Sequence, residues 1–189
     1  MPDTNPFPRL ATDDSDGEVW TEPRLPSPWR PCRDMATFRT QLGRAMFRHR
    51  HQPGAGLGLL RAAAAMAPVG GAPMTTSDSD RADLVLDVRV GGEIDGSWAS
   101  IRYARGEYLV LCEHLDGMVD ARGLASRLAH RLAWPLEIGS CLVLPQVSVG
   151  IALHVESRSS PATLLARSID TLRRAQQKEG LRIAIDPEE

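Results

Sequence analysis

Two arginines and a glutamate around a predicted turn are the residues of this sequence best placed to do chemistry. Arg102 and Arg105 flank the turn, and Glu107 follows it directly. Two guanidinium groups could bind an anion through charge-assisted hydrogen bonds, although a surface pair of arginines is more often simply solvated. A glutamate at the start of a strand is also usually a solvated edge residue. The turn is therefore a candidate anion site, and a single carboxylate predicts no metal site.

The cysteines and histidines favour structural roles. Cys32, Cys112 and Cys141 are an odd number at wide spacings, and two of them lie in apolar runs where cysteine acts as a small hydrophobe. We expect reduced thiols. His49 and His51 lie two positions apart on a predicted helix, so their side chains do not face each other. A solvated helix end is a better interpretation of this pair than a metal site.

The composition and net charge limit which partners and which location the sequence predicts. The 189 residues are 42% hydrophobic and carry a net charge of -2, with basic residues scattered along the chain. This balance predicts neither a nucleic-acid nor a membrane partner. The first residues lack the basic start and apolar run of a secretory signal, and no stretch reaches the eighteen apolar residues of a membrane span. We therefore expect a cytoplasmic protein.

The chain divides into an arm and one domain. Residues 1–33 are rich in Pro, Asp and Ser, and their apolar residues show no period, which predicts a disordered arm. Trp20 and Trp29 could anchor this arm to a partner or to the domain, but a flexible tail is the simpler interpretation. Residues 34–187 are the predicted domain.

Hydrophobic spacing predicts the elements before the turn. Asp34 can cap a helix that runs to about residue 51, with Phe38, Leu42 and Met46 on its buried face. Three further segments are predicted as a short buried strand, a mobile loop and a helix, at residues 56–60, 66–80 and 83–94 respectively. The valines of the last segment also suit a strand.

The turn itself is predicted to join the two strands of a hairpin, at residues 98–103 and 107–113. A helix at residues 120–133, a bent strand at residues 142–154, a helix that begins at Ser160 and a strand at residues 181–185 follow. Leu165, Ile169 and Leu172 are the predicted buried stripe of the last helix. The order of elements predicts an α/β (α+β) sandwich with a central, mainly antiparallel sheet flanked by helices.

The second half of the sequence resembles a GGDEF domain of the diguanylate cyclase family. The resemblance rests on the block RYARGEYLVLCE, the helix that ends LAHRLAWPLEI, the strand LPQVSVGIAL and the helix SPATLLARSIDTLRRAQQKEG, in this order and spacing. Ser148-Val149-Gly150-Ile151 fits the family's strand signature. Together these segments cover roughly the last ninety residues, whereas the first half matches weakly. The resemblance implies the GGDEF, nucleotide-cyclase-like fold.

By this resemblance, an active member condenses two GTP molecules into cyclic di-GMP with divalent metal. The aligned turn here is Ala104-Arg105-Gly106-Glu107-Tyr108, which lacks both family glycines, has Gly106 in place of a metal-binding acid and keeps only Glu107. A side chain at the turn is expected to block the mouth of the pocket. The family's first-strand aspartate falls in residues 61–65, which read Arg-Ala-Ala-Ala-Ala, so that carboxylate is missing too.

Three other family features are also replaced. The guanine-reading residues would precede Asp83, in a stretch that is Thr- and Ser-rich here. The last helix carries neutral Gln176 in place of a phosphate-binding lysine, and Lys178 points to a different face. The product-inhibition site would fall on Asp95 and Trp98, which offer nothing basic to bind a phosphate.

These replacements predict a degenerate domain without cofactor or metal. The first hypothesis is a catalytically inactive module that regulates or binds a protein partner in bacterial cyclic di-GMP signalling, with a homodimer as one arrangement. The second is a receptor that binds GTP or cyclic di-GMP at the hairpin through Arg102 or Arg105. An active diguanylate cyclase is the third and least favoured hypothesis.

Overall fold

The computed structural model describes residues 31–51, 56–70, 73–94, 98–154, 160–180 and 182–186. Residues 1–30, nearly all of the predicted arm, lie outside these ranges, so the arm and its boundary stay predictions. The elements of the described residues are, in chain order, α1 (Met35–His51), β1 (Gly56–Pro68), α2 (Thr76–Glu93), β2 (Ser100–Ala104), β3 (Glu107–Leu115), α3 (Gly117–Ala133), β4 (Leu136–Ile138), β5 (Cys141–Leu153), α4 (Pro161–Gln176) and β6 (Arg182–Asp186).

Strand β1 lies in the middle of a six-stranded sheet. It pairs antiparallel with β3 on one side and with β5 on the other. Strand β2 extends the sheet beyond β3, while β4 and β6 both pair with β5, the latter in parallel. The prediction of a central, mainly antiparallel sheet is confirmed.

Helices cover both faces of this sheet. Side chains alternate between the faces along a strand, so Leu57 and Leu59 of β1 join the core beneath α1 and α4. Leu60 and Ala62 join the larger core beneath α2 and α3. The described chain contains no helix that combines the length and the apolar character needed to cross a membrane.

The glycine of the strand signature, Gly150, lies where α4 approaches β5 closely. A Cβ atom at this position of β5 would lie 2.5 Å from the backbone nitrogen of Leu172 and 2.8 Å from the carbonyl carbon of Thr171 in α4. Glycine therefore lets α4 pack directly against the strand. The short motif in the sequence is a packing requirement of the fold.

Several predicted elements are confirmed. Asp34 caps α1 by accepting a hydrogen bond from the backbone of Thr37 at 2.7 Å, and Phe38, Leu42 and Met46 are buried. The hairpin turns at Arg105 and Gly106, as predicted. The three cysteines are free thiols, and burial raises the pKa of Cys112 well above its ordinary value.

The first strand and the following helix are longer than predicted. The predicted strand ended at residue 60, but β1 continues to Pro68 because residues 58–68 pair with β5 one by one. Alanine has a low strand propensity, so residues 62–65 give no local strand signal. The predicted loop at residues 66–80 is therefore wrong at its start. It is wrong at its end too, because Thr75 and Asp78 form a reciprocal capping box that begins α2.

The buried stripe of α4 is shifted from the prediction. Ile169, predicted to be buried, is 37% exposed, and Leu165 is only partly buried. The buried positions are Leu164, Ser168, Thr171, Leu172 and Ala175. Ser168 and Thr171 tolerate burial because their hydroxyls donate to carbonyl oxygens of the same helix, at 2.7 Å each. Counting apolar residues alone misses them. The short strand β4 was not predicted either.

Candidate functional site

Three aspartates of α2 face the hairpin. Asp80, Asp83 and Asp87 recur at the spacing that places side chains on one face of a helix. Arg102 of β2 lies 3.0 Å from Asp83 and 3.5 Å from Asp87. Arg105 of the turn lies 2.5 Å from Asp80 and 3.4 Å from Asp83. The prediction of a simply solvated arginine pair is wrong, because both guanidinium groups are held by carboxylates.

This ion-pair network extends into the core. Asp83 is only 4% exposed, and Asp87 accepts a hydrogen bond from the Tyr108 hydroxyl at 2.9 Å. Burial raises the pKa of the Asp87 carboxyl despite the opposing effects of Tyr108 and Arg102. Burial, and then the charge of Asp87, raise the pKa of Tyr108. The phenol therefore stays protonated and acts as a hydrogen-bond donor.

An open cleft of about 480 Å³ lies beside the turn. The prediction that a side chain at the turn blocks the mouth of the pocket is therefore wrong. Its lining consists of Asp80, Asp83, Leu84, Arg102, Tyr103, Ala104 and Arg105. The two arginines and two aspartates of the lining balance each other, so the cleft has no excess positive charge to attract a phosphate.

A second polar cluster lies on the opposite face of the sheet, towards α4. Arg61 of β1 is only 9% exposed. It donates to the Tyr103 hydroxyl at 2.6 Å and to Ser168 Oγ at 3.4 Å, and its guanidinium also lies 4.7 Å from the centre of the Tyr103 ring. Burial, followed by a hydrogen bond with Glu107, raises the pKa of Tyr103 to about 12. Glu107 is half-buried beside Tyr103 and is not the solvated edge residue predicted.

Gly106 has no room for a side chain. Its φ of 64° is left-handed, and an added Cβ atom would lie 2.5 Å from the carbonyl oxygen of Ala64. The Gly106 carbonyl in turn accepts a hydrogen bond from the Ala64 amide at 2.9 Å. The turn is thus held against β1 by its backbone.

The sequence matches no protein-family model, and none of the curated proteins matches it. Solved structures do. The GGDEF domain of YfiN (TpbB) from Pseudomonas aeruginosa is 19% identical, with a TM-score of 0.67, over 85% of this chain and 98% of that one. This chain has the GGDEF fold. The GGDEF domain of DgcB from Caulobacter crescentus, in complex with cyclic di-GMP, is 14% identical, with a TM-score of 0.62, over 90% of this chain and 98% of that one.

A further GGDEF-fold structure was solved with a protein bound. The diguanylate cyclase SiaD from Pseudomonas aeruginosa, in complex with its activator SiaC, is 14% identical to this chain, with a TM-score of 0.59. The match covers 78% of this chain and 58% of that one. At these identities the likeness establishes the fold and leaves the activity open.

Within the GGDEF fold, the remaining motif positions have structural partners or lie on the surface. Lys178 donates to the carbonyl oxygen of Ile183 at 2.6 Å, which ties the end of α4 to β6. Gln176 is exposed. Trp98 is partly buried against the core beneath α2 and α3, as its interpretation as a packing residue predicts, and Asp95 lies outside the described residues.

At the end of α1, His51 is exposed, as the prediction of a solvated helix end requires, whereas His49 is partly buried. Arg48 donates two hydrogen bonds to the Glu113 carboxylate, at 2.8 and 2.9 Å. The His49 ring packs edge-on against His154, with 5.2 Å between ring centres. Among the described residues, no three His, Cys, Asp or Glu side chains are grouped so that they could hold a metal ion.

Sequence reasoning missed the two clusters for different reasons. Arg61 was noted only as a lost aspartate, although an arginine inside an apolar run signals a buried, partnered charge. The aspartates were missed because α2 was predicted to begin after Asp80. With the capping box recognised, Asp80, Asp83 and Asp87 would have appeared as one acidic helix face.

Proposed function

We propose that this chain is a catalytically inactive GGDEF-fold domain that serves as a regulatory or protein-interaction module in cyclic di-GMP signalling. The observation that carries the proposal is Arg61. It lies in the stretch of β1 where the family resemblance places a metal-binding aspartate, and it is buried and hydrogen-bonded there. A fixed guanidinium at this position repels the divalent cation that the cyclase reaction requires.

Gly106 supports the same conclusion from the other side of the site. The resemblance places a second metal-binding acid here, but the close approach of the Ala64 carbonyl excludes any side chain. Glu107, the acid that survives, is half-buried and raises the pKa of the neighbouring Tyr103 phenol. One engaged carboxylate beside a buried arginine cannot hold a metal ion against a triphosphate.

The alternative function is a receptor for GTP or cyclic di-GMP, since the open cleft offers space for a ligand. Its two candidate arginines, Arg102 and Arg105, are already paired with aspartates. A nucleotide phosphate would have to displace Asp80 and leave buried Asp83 without its counter-charges, which is costly. The ion pairs therefore favour the interaction module.

Isothermal titration calorimetry of the full chain with GTP and with cyclic di-GMP, each with Mg²⁺, separates these functions. We expect no heat of binding with either nucleotide. Saturable heat that disappears in the Arg105→Ala variant would establish the receptor instead. The matched control is Arg173→Ala, an exposed arginine of α4 that pairs with Asp170 and lies outside the cleft lining.

The partner is proposed to be a protein, and a second copy of the chain is one candidate. The GGDEF-fold cyclase SiaD was solved with its activator SiaC, which shows that one protein of this fold binds a regulatory protein. We propose a cytoplasmic location and no cofactor for the present chain.

A further inference from the structure

The outer face of α1 is basic and carries an exposed aromatic ring. We call it the basic face of α1 and define it by Arg39, Arg44, Phe47 and Arg50, all of which are exposed. Phe47 lies one turn from both Arg44 and Arg50, and 64% of it is exposed. Its ring packs edge-on against His51, with 4.5 Å between ring centres.

The charges of Arg39 and Arg44 on this face are not balanced locally. Helix α1 contains four arginines and no acidic residue. Arg48 pairs with Glu113 of β3, but Arg39 and Arg44 have no acidic partner among the described residues. A helix face that combines unpaired arginines with an exposed phenylalanine suits a partner that is acidic and aromatic.

The chain itself contains such a segment. Residues 13–22 read Asp-Asp-Ser-Asp-Gly-Glu-Val-Trp-Thr-Glu, with five acidic residues, no basic one and a single tryptophan at position 20. This is the densest run of acidic residues in the sequence. Its composition matches the basic face in both charge and aromatic character.

The segment is attached close enough to reach this face. The described chain begins at Pro31, and the Cys32 amide donates to the carbonyl oxygen of Ser100, which fixes the start of the domain near the α1 N-terminus. From Met35 to Phe47 the helix rises about 18 Å. The eleven Cα–Cα steps from Trp20 to Pro31 span up to roughly 36 Å when extended. Trp20 can therefore reach Phe47.

We infer that residues 13–22 of this chain bind the basic face of α1, with Trp20 packed against Phe47 and the acidic side chains paired with Arg39 and Arg44. The contact is intramolecular. It stands whether or not the domain is catalytically inactive. Because its charges are exposed, salt weakens it.

Amide spectra of the full chain labelled with ¹⁵N test this inference. The variant replaces Asp13, Asp14 and Asp16 with Asn and Glu18 with Gln. We expect the amide signals of the basic face and the indole signal of Trp20 to move relative to the wild type. Raising the salt concentration of the wild type from about 0.05 to 0.5 M should move the same signals in the same direction.

A charge reversal and its rescue give the specificity control. Arg39→Glu with Arg44→Glu should release the segment, and adding Asp13→Lys with Asp14→Lys should restore the wild-type Trp20 signal. Arg122→Glu reverses an equally exposed arginine on α3, on the other side of the sheet, and should leave that signal unchanged. Unchanged α1 signals in the neutralised variant overturn the inference. Signals that depend on protein concentration also overturn it, since the occupant would then be a second copy.

Discussion

The guanidinium of Arg61 lies in the middle of β1, between the ring of Tyr103 and the hydroxyl of Ser168. On the other face of the same sheet, Arg102 and Arg105 are bound by the aspartates of α2. Arg61 is thus held by two hydroxyl groups, whereas Arg102 and Arg105 are held by carboxylates. The resemblance indicated from the sequence which motif positions differ from the family. It could not indicate the partners of Arg61, because Ser168 lies 107 positions away in the sequence.

At the residue scale, we predict that Gly106 tolerates no side chain. Gly106→Ala should destabilise the fold by roughly 2–4 kcal/mol, from the left-handed backbone and the collision with the Ala64 carbonyl together. Gly139→Ala is the matched control, because Gly139 also has a positive φ but open space around it. This control should cost only about 1–2 kcal/mol. Denaturant unfolding measures both values, and equal losses would show that the close approach to Ala64 is not present.

At the element scale, the helices and strands with strong local signals were predicted well. The capping residues of α1 and α4 are local, as are the leucines of α3 at positions 124, 128 and 132. The far half of β1 could not be predicted, because alanines adopt a strand there only through pairing with β5. The stripe of α4 was misplaced because two of its buried positions are the polar residues Ser168 and Thr171, whose hydroxyls donate to carbonyl oxygens of the helix.

The buried positions observed on α4 predict how substitutions on this helix affect stability. Ile169→Asp should change the free energy of unfolding by less than about 1 kcal/mol, because the side chain is 37% exposed. Leu164→Asp on the same helix should cost roughly 3 kcal/mol or more, since Leu164 is fully buried. Urea melts of the two variants compare them directly. A large loss for Ile169→Asp with a small one for Leu164→Asp would mean that α4 is rotated about its axis.

At the scale of the whole molecule, this chain has the GGDEF fold, with arginine-centred polar clusters on both faces of its sheet. The resemblance of the last ninety residues was enough to predict the fold, because Gly150 and the caps of α4 meet packing demands that do not depend on catalysis. The cleft could not be predicted, since it depends on the distance between α2 and the turn. The basic face of α1 depends only on the helix itself.

The central claim is that this GGDEF fold no longer makes cyclic di-GMP. The most direct test incubates the purified full chain with GTP and either Mg²⁺ or Mn²⁺, and quantifies cyclic di-GMP by chromatography against a reaction without protein. We predict no product above that background with either metal, because Arg61 lies in the stretch, and Gly106 at the turn position, where the family resemblance places metal-binding acids. Product that rises with time and with protein concentration would contradict the account.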